Sequence, residues 1–298
     1  MKPILSTFLD YKQSSMEKQL ELAKQLNLDY VMIRKINGKP IFQLEDSEVD
    51  QYIKDIKAYK VIAVDPLLES FSMDKERELT AYNLMLDHIL KTVKKFKPIY
   101  YIYTIPKFDE SIKNYKQVIE VVKSQIKIIK KHKLKVLIKM SDHHTPKMYR
   151  YILEVLNDKQ VSIIFDYIYL HYLNESHVTA YRLLRNYIDL LIMDDIDQLG
   201  SGRVLGSGGH IDVTGIAKRF IKRKYEGFVV LDSSLVNLLD QANQQGWFSK
   251  LVSKKTKHEI KIYEDFVERY RSTDTFRVLR IQMAILSIMF LNKKIALG

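Results

Sequence analysis

The sequence contains no cysteine, one tryptophan, six prolines and ten glycines among its 298 residues. Without cysteine the chain cannot form a disulfide framework, a zinc ribbon, an iron–sulfur cluster or a thiol nucleophile. It also lacks a long hydrophobic run, because the longest one, residues 278–291, contains Arg280 and Gln282 and is too short to span a bilayer. The apolar run at the N-terminus stops at Asp10, too early for a signal peptide. We therefore expect a cytoplasmic protein without a membrane partner.

The composition that is present indicates a folded, basic protein. Hydrophobic residues make up 46% and aromatic residues 11% of the chain, which is enough for a large core. The formal net charge of +12 admits nucleic acid or anionic small molecules as partners. Residues 249–298 carry eleven Lys and Arg against five Asp and Glu, and five lysines lie within residues 127–135. We interpret this dispersed charge as a solvated surface and do not expect a nucleic-acid partner.

Eight short runs of β-branched, apolar and aromatic residues alternate with segments of helical periodicity, such as residues 15–26 and 109–133, the second with Asp109 as its expected N-cap. The predicted strands are residues 4–8, 30–34, 61–65, 99–104, 135–139, 161–166, 188–193 and 228–232. Eight such repeats favour an α/β fold with a (β/α)8 TIM barrel, while an open doubly wound sheet is the alternative.

The expected domain boundaries place the barrel in residues 1–240 and a helical extension in residues 241–298. Segments 235–248, 254–270 and 275–294 have helical patterns, which is more than the single helix needed to close a barrel. We expect the extension either to pack on the barrel or to form a subunit contact, in which case the protein is a homo-oligomer.

Polar residues follow the predicted strands, at the end where barrels carry their active sites. The candidates are Ser6, Thr7, Arg34, Lys35, Asp65, Thr104, Lys107, Lys139, Asp142, His143, His144, Asp166, His171, Asp194, Asp195, Asp197 and Asp232. Carboxylates that converge with cations suit proton transfer on a polyol or an enediol, because neighbouring charges tune each other's pKa.

A glycine-rich segment, residues 200–212, holds five of the ten glycines and lies between the seventh and eighth predicted strands. Barrels often bind phosphate there through backbone N–H groups. The expected substrate- or phosphate-binding residues are Arg34, Arg203, Gly206, Ser207, Gly208, Gly209 and His210. A mobile lid is the alternative interpretation of this segment.

Three segments, taken in order, resemble the xylose-isomerase-like barrel superfamily, which includes sugar-phosphate isomerases and epimerases, dehydratases and metal-dependent apurinic endonucleases. Residues 161–169 are similar to the strand that ends in D-x-x-H, and residues 187–195 to the strand that ends in H-x-K-D. Residues 206–232 resemble G-x-G-x-I-D, a helix and G-Y-x-G-x-x-x-x-E. The resemblance covers roughly residues 1–240 and implies a barrel that acts on sugars or sugar phosphates.

The resemblance also implies a divalent-metal site with Glu, Asp, His and Glu ligands. These four positions fall on Lys139, Asp166, Ile192 and Asp232, in that order. The histidine of D-x-x-H falls on Tyr169, and the glutamate often found on the second strand falls on Met32. A lysine ammonium repels a cation, and isoleucine has no lone pair to donate.

We therefore expect no cofactor and a degraded metal site; if a metal binds, Asp166 and Asp232 hold it. A shifted alignment, with His143, His144 or His171 as the missing ligand, is the alternative.

The resulting functional prediction is a sugar or sugar-phosphate isomerase or epimerase that abstracts a proton next to a carbonyl. Asp166 or Asp232 would be the base, Asp195 belongs to the same catalytic set, and Lys139 would be the electrophile or a Schiff-base amine.

Two alternatives to this function stay open. One is a catalytically silent barrel that binds a sugar or phosphate, in which Lys139 is the ion-pair partner of Asp166 or Asp232. The other is an apurinic-endonuclease-like protein that binds nucleic acid.

Overall fold

The computed structural model describes residues 2–11, 15–68, 70–71, 76–108, 111–198, 200–243 and 274–291. The elements in chain order are β1 (Ile4–Thr7), α1 (Met16–Gln25), β2 (Tyr30–Ile33), β3 (Lys35–Ile36), β4 (Lys39–Pro40), α2 (Asp46–Asp55), β5 (Lys60–Val64), α3 (Glu76–Val93), β6 (Tyr100–Tyr103), α4 (Ile112–Lys131), β7 (Lys135–Ile138), α5 (Pro146–Leu156), β8 (Val161–Asp166), α6 (Tyr167–Tyr172), α7 (His177–Leu184), β9 (Ile188–Met193), α8 (Val213–Lys222), β10 (Phe228–Leu231), α9 (Ser234–Asn243) and α10 (Thr275–Leu291).

Eight parallel strands form one sheet in the order β1-β10-β9-β8-β7-β6-β5-β2. The strands at the two ends of this order meet through a parallel bridge between Phe8 and Met32, which closes the sheet as in an α/β barrel. The predicted (β/α)8 architecture is confirmed, and each predicted strand agrees with the structure to within one residue at each end.

The strands are buried because nearly every residue in them is apolar. Alternate residues point to the same side of a strand, so one set fills the interior and the other set contacts the helices. Buried residues that pack together include Met32, Ala63, Leu137, Ile164 and Val230. Each of these side chains except that of Ala63 contributes on the order of 1.5–3 kcal/mol by leaving water. The residue two positions after each of these five core residues is polar. These polar residues therefore lie at the C-terminal ends of their strands.

The chain folds into two compact units. The barrel unit comprises Pro3–Ile192 and Glu226–Val230, and the loop–helix unit comprises Met1–Lys2, Met193–Tyr225 and Leu231–Gly298. The second unit joins segments that are distant in sequence, since it contains the glycine-rich segment, α8, α9 and α10. The division at residue 240 between a barrel and an extension stays a prediction.

One helix start differs from the sequence-based expectation, and one predicted helix is not described. The predicted N-cap Asp109 lies outside the described residues, and α4 instead begins after Ser111, whose Oγ accepts a hydrogen bond from the Asn114 backbone N at 3.3 Å. The predicted helix 254–270 also lies outside the described residues. No helix of the described ranges is both long and apolar enough to cross a membrane.

Candidate functional site

Lys139 directly follows strand β7 and forms an ion pair in the barrel unit. Its Nζ lies 2.9 Å from Oδ2 of Asp65, the residue that follows β5. The Asp65 side chain is only 6% exposed, and the Lys139 side chain is 31% exposed. The other Asp65 oxygen accepts a hydrogen bond from the Leu67 backbone N at 2.9 Å. The partner of Lys139 is thus Asp65, and the expectation that Lys139 pairs with Asp166 or Asp232 is wrong.

The surroundings of Lys139 keep its side chain charged. Burial by itself lowers the pKa of this ammonium, but the charge and hydrogen bond of Asp65 outweigh burial, and the pKa stands above its ordinary value. Tyr169 adds to the rise, and the positive charge of Arg34 opposes it. A protonated lysine presents a fixed positive charge and no nucleophilic lone pair. This arrangement favours an electrophilic role for Lys139 over a Schiff base.

Arg34, predicted to bind substrate, follows β2 in the same unit. Its Nε and Nη2 donate to the two carboxylate oxygens of Asp10 at 2.9 and 3.0 Å. The guanidinium carbon also lies 4.0 Å from the centroid of the Phe8 ring. A bidentate ion pair combined with stacking on an aromatic ring holds the guanidinium in one orientation.

Asp166 is the last residue of β8 and the N-cap of α6. Its Oδ1 accepts a hydrogen bond from the Ile168 backbone N at 3.0 Å, which explains why a helix starts there. Because β7 and β8 are adjacent strands, Asp166 and Lys139 stand at neighbouring strand ends. These two predicted catalytic residues therefore belong to the same edge of the barrel unit.

A buried hydrogen-bond network supports the backbone around Lys139. The Tyr149 hydroxyl accepts a hydrogen bond from the Ser141 backbone N at 2.8 Å and donates to the Lys139 carbonyl oxygen at 3.4 Å. The Ser141 Oγ lies 2.9 Å from Nδ1 of His144. Burial lowers the pKa of His144 to about 4, so its imidazole is neutral at physiological pH. This geometry indicates a structural role for His144.

Asp195 lies in the loop–helix unit and organises the glycine-rich segment. Its Oδ2 accepts a hydrogen bond from the Gly206 backbone N at 2.9 Å. Burial raises the pKa of Asp195, while the backbone N–H groups of Gly206, Ile196, Gly209 and Ser207 act in the opposite direction. A β-carbon at Gly209 would lie 2.0 Å from the Asp195 Oδ1, so only glycine fits there. Backbone amides expected to bind phosphate thus face the protein's own carboxylate.

A polar cavity of about 370 Å³ adjoins this segment. It is lined by Asp197, Gln198, Arg203, Ser207, Gly208, Gly209 and His210. The Arg203 Nη2 donates to Oδ2 of Asp197 at 2.9 Å, so the cation and the carboxylate offset each other's charge. Five of the predicted binding residues therefore lie together, in a cavity whose chemistry suits a hydroxylated ligand as well as an anion.

Asp194 is one of the polar candidates at the strand ends, but it was not among the residues predicted to be catalytic or to bind substrate. Burial raises its pKa well above the ordinary range, and the charge of Asp232 adds to this effect. Hydrogen bonds from the Asp195 backbone N at 2.9 Å and from the Ser234 backbone N at 3.1 Å act against the rise. The Ser234 hydroxyl also donates to this carboxylate. The loop–helix unit thus brings Asp194 and Asp232, which follow adjacent strands, into one electrostatic group.

Gln282 of α10 is a second residue that sequence reasoning missed. Its side chain is fully buried, and its Nε2 donates to Ser233 Oγ at 2.6 Å. Its Oε1 accepts a hydrogen bond from the Leu205 backbone N at 3.1 Å. One glutamine therefore connects the end of β10 with the glycine-rich segment.

The residues at the four expected metal-ligand positions do not fit a divalent ion. An ammonium group and a hydrocarbon side chain, Lys139 and Ile192, replace two of the four donors. In addition, the Lys139 ammonium donates a hydrogen bond to Oδ2 of Asp65, so this oxygen is bound to an ammonium group and not to a metal ion. Within the described ranges, no three His, Asp or Glu side chains are arranged to hold a metal ion.

Comparisons with known proteins identify solved structures that have a similar fold. No protein-family model and no curated protein sequence matches this chain. Similar solved structures include L-ribulose 3-epimerase, with a TM-score of 0.65, 10% identity, and coverage of 98% of this chain and 95% of that chain. A sugar phosphate isomerase/epimerase from Parabacteroides distasonis has a TM-score of 0.62 and 11% identity, covering 96% and 93%.

A third similar structure is a xylose isomerase-like TIM barrel protein from Mycobacterium smegmatis in complex with magnesium. It has a TM-score of 0.58 and 11% identity, and the match covers 95% of this chain and 98% of that chain. The expected resemblance to xylose-isomerase-like barrels is confirmed at the level of the fold.

Proposed function

We propose that this protein isomerises or epimerises a sugar or sugar phosphate by moving a proton next to a carbonyl, without the divalent ion of related barrels. The observation that carries the proposal is the charged Lys139, held by Asp65 where the resembled family has a metal-ligating glutamate. Several structures with the same fold are named as sugar isomerases or epimerases, which supports this substrate class.

Lys139 supplies the positive charge in this mechanism. When a base removes the proton next to a carbonyl, the C–H electrons form an enediolate and negative charge develops on the carbonyl oxygen. An ammonium group that is already oriented stabilises this charge with little reorganisation. Asp65 fixes the direction of the ammonium and keeps it protonated. Tyr149 assists indirectly, because it holds the Lys139 carbonyl and the Ser141 amide.

Asp166 or Asp232 acts as the base. A carboxylate in this role takes the proton from carbon. Protonation of the same carbon from the opposite face, by a second acid or by water, inverts it, whereas return of the proton to the adjacent carbon moves the carbonyl. These two outcomes are epimerisation and isomerisation. A positioned general base contributes on the order of 10²- to 10⁴-fold to the rate. Arg34 serves substrate binding and orientation in the barrel unit, while Asp195 and the cavity around Arg203 stay predicted binding residues of the loop–helix unit.

The test is deuterium incorporation from D₂O into a panel of aldoses, ketoses and their phosphate esters, followed by NMR. This signal reports proton abstraction even when no new sugar accumulates. We expect Lys139→Met to lower the exchange rate on the order of 10³-fold, and Asp166→Asn or Asp232→Asn to lower it on the order of 10²-fold or more. Lys147→Met, at an exposed lysine of α5, is the matched control and keeps full activity.

Metal independence has its own measurement. Protein purified without chelator should hold far less than one equivalent of metal by elemental analysis, and EDTA should leave the exchange rate unchanged. Unchanged exchange in both Lys139→Met and Asp232→Asn refutes the mechanism. Stoichiometric manganese or zinc that is lost in Asp166→Asn and Asp232→Asn contradicts the metal-free proposal.

A second candidate is a barrel that binds its ligand without turning it over. Two observations favour it: Lys139 and Asp65 neutralise each other, and Asp195 engages the amides of the glycine-rich segment. Thermal-shift screening that detects tight sugar-phosphate binding, together with no deuterium exchange, would favour this candidate. No contact among the described residues favours an apurinic-endonuclease-like mechanism, so it is not proposed.

A further inference from the structure

The turns that lead into strands β5 to β9 are unusually basic. Residues 56–60, 94–99, 130–135, 157–160 and 185–187, which we name the basic arc, contain eleven Lys and Arg but only one acidic residue, Asp158. Lys130 forms an ion pair with Asp158, and Lys95 forms ion pairs with two aspartates of α2, Asp46 and Asp50. The other nine cations are exposed side chains. The basic arc therefore carries a concentrated positive charge.

The strand order places these turns side by side. The backbone of Ile99 connects the turn before β6 to its neighbours, because its N donates to Val61 O at 3.1 Å and its O accepts from Lys135 N at 3.3 Å. The Gln160 and Tyr187 carbonyls continue these contacts to β7 and β8. With about 4.8 Å between adjacent strands, the basic arc is about 19 Å long.

Two lysines of the basic arc occupy backbone positions that do not favour lysine. Lys97 and Lys133 have φ angles of 50° and 62°, in the left-handed region. Asn27 and Asn157 occupy the corresponding helix-to-strand turns with φ angles of 49° and 41°. Asparagine tolerates this conformation better than lysine does. Asparagine is therefore the substitution that the backbone at Lys97 and Lys133 tolerates best, and it removes their charge.

We propose that the basic arc binds the phosphate backbone of a nucleic acid without reading its sequence. From the sequence alone these lysines are expected to form a solvated face, but the structure gathers them along one edge. An arc of about 19 Å faces on the order of ten phosphate charges of a duplex. The five turns hold none of the exposed large hydrophobic side chains of the described chain, so they offer nothing to insert into a membrane. The arc lies at the N-terminal strand ends, opposite the edge that carries Lys139.

The test measures binding of a fluorescein-labelled 20-base-pair DNA duplex and a 20-nucleotide RNA by fluorescence anisotropy between 50 and 200 mM KCl. The wild type should bind at least one probe, with log K falling linearly against log salt and a slope of about −3 or steeper. The double variant K97N/K133N should weaken binding on the order of tenfold at 50 mM KCl and make the duplex slope shallower by about 2.

The control is K116Q/K147Q, which removes two exposed lysines near the N-termini of α4 and α5, at the other end of the barrel. It should change the affinity less than twofold. K97N/K133N suits the left-handed turns and should keep the thermal midpoint of the wild type, while K131Q/K135Q is a second variant of the arc.

Three results would overturn the proposal. One is a dissociation constant weaker than about 10⁻⁴ M for both probes at 50 mM KCl. Another is equal weakening by the arc variants and the control, which would indicate net charge alone. The third is binding to phosphatidylserine vesicles with none to either nucleic acid, which would assign the arc to a membrane surface.

Discussion

Removing the positive charge of Lys139 should destabilise the folded protein measurably, because the buried carboxylate of Asp65 would lose its cationic partner. Removing one partner of a fully buried ion pair costs about 3–5 kcal/mol. Water reaches Lys139, whose side chain is 31% exposed, so we reduce this figure to about 2 kcal/mol for Lys139→Met. Asp65 is only 6% exposed and keeps a single backbone donor, from Leu67, which does not replace an ammonium.

The assay is urea denaturation of the wild type, Lys139→Met, Asp65→Asn and the double variant at pH 7, followed by far-ultraviolet circular dichroism. The double variant removes both charges, so it should cost less than the sum of the single variants. A coupling energy of about 1–2 kcal/mol is expected from this cycle. The control Lys147→Met, at an exposed lysine of α5, should move the urea midpoint little.

The pH dependence of the stability difference between the wild type and Lys139→Met gives a second check. The pKa of Lys139 is raised in the folded state, so its contribution is complete below the ordinary lysine pKa of about 10.4. It is lost as the pH rises through the raised value. The stability difference between the wild type and Lys139→Met should therefore stay constant from pH 7 to 9 and shrink above about pH 10.5. A coupling energy below about 0.5 kcal/mol, or a difference that grows at alkaline pH, would refute the reasoning.

Three further changes have definite outcomes. Gly209→Ala places a methyl group 2.0 Å from a buried carboxylate oxygen and should lower the free energy of unfolding by about 3 kcal/mol. Gly208→Ala meets no neighbouring atom and should lower it by only about 1 kcal/mol, because of its φ of 89°. Thermal denaturation of the two variants measures the difference. Gln282→Leu removes the acceptor of the buried Leu205 amide and one donor to Ser233 Oγ, so it should cost about 1–3 kcal/mol and speed hydrogen exchange in residues 203–209. The half-exposed Ile288→Ala should leave that exchange unchanged. The raised pKa of Asp194 means that this side chain binds its proton more tightly in the folded state, so its own contribution to stability should fall as the pH rises above about 4. Urea midpoints of Asp194→Asn should therefore gain on those of the wild type as the pH rises, and a difference that does not change with pH would contradict the assignment.

The strands were predictable because their mainly apolar runs are followed or ended by a charged or hydroxyl-bearing residue. Residues 161–166 show this clearly, since the run VSIIFD begins and ends where β8 does. The short helix Tyr167–Tyr172 could not be recognised, because its sequence is rich in aromatic residues that favour strands. Its start depends on Asp166, whose side chain caps the first turn. Local capping overrides intrinsic propensity at this position.

The sequence indicated which polar residues lie at the strand ends better than it indicated which of them contact each other. Lys139 and Asp65 follow strands that are separated by β6, and no spacing rule selects this pair from the other charges at the strand ends. Alternation along β9 could have separated Asp194 from Asp195, since Asp194 continues the interior set that contains Ile192. The signal for Gln282 was a lone amide within an apolar helix, but its partners lie 49 and 77 residues away.

The distance along the chain between Leu205 and Gln282 has a consequence for synthesis on the ribosome. At about 5–20 residues per second, the glycine-rich segment is complete roughly 4–15 s before Gln282 is joined to the chain. During that interval the Leu205 amide has no glutamine to bind, and the last barrel strand, β10, and Ser233 are synthesised before Gln282 arrives. Until translation reaches α10, the nascent chain therefore lacks the side chain that joins the glycine-rich segment to Ser233.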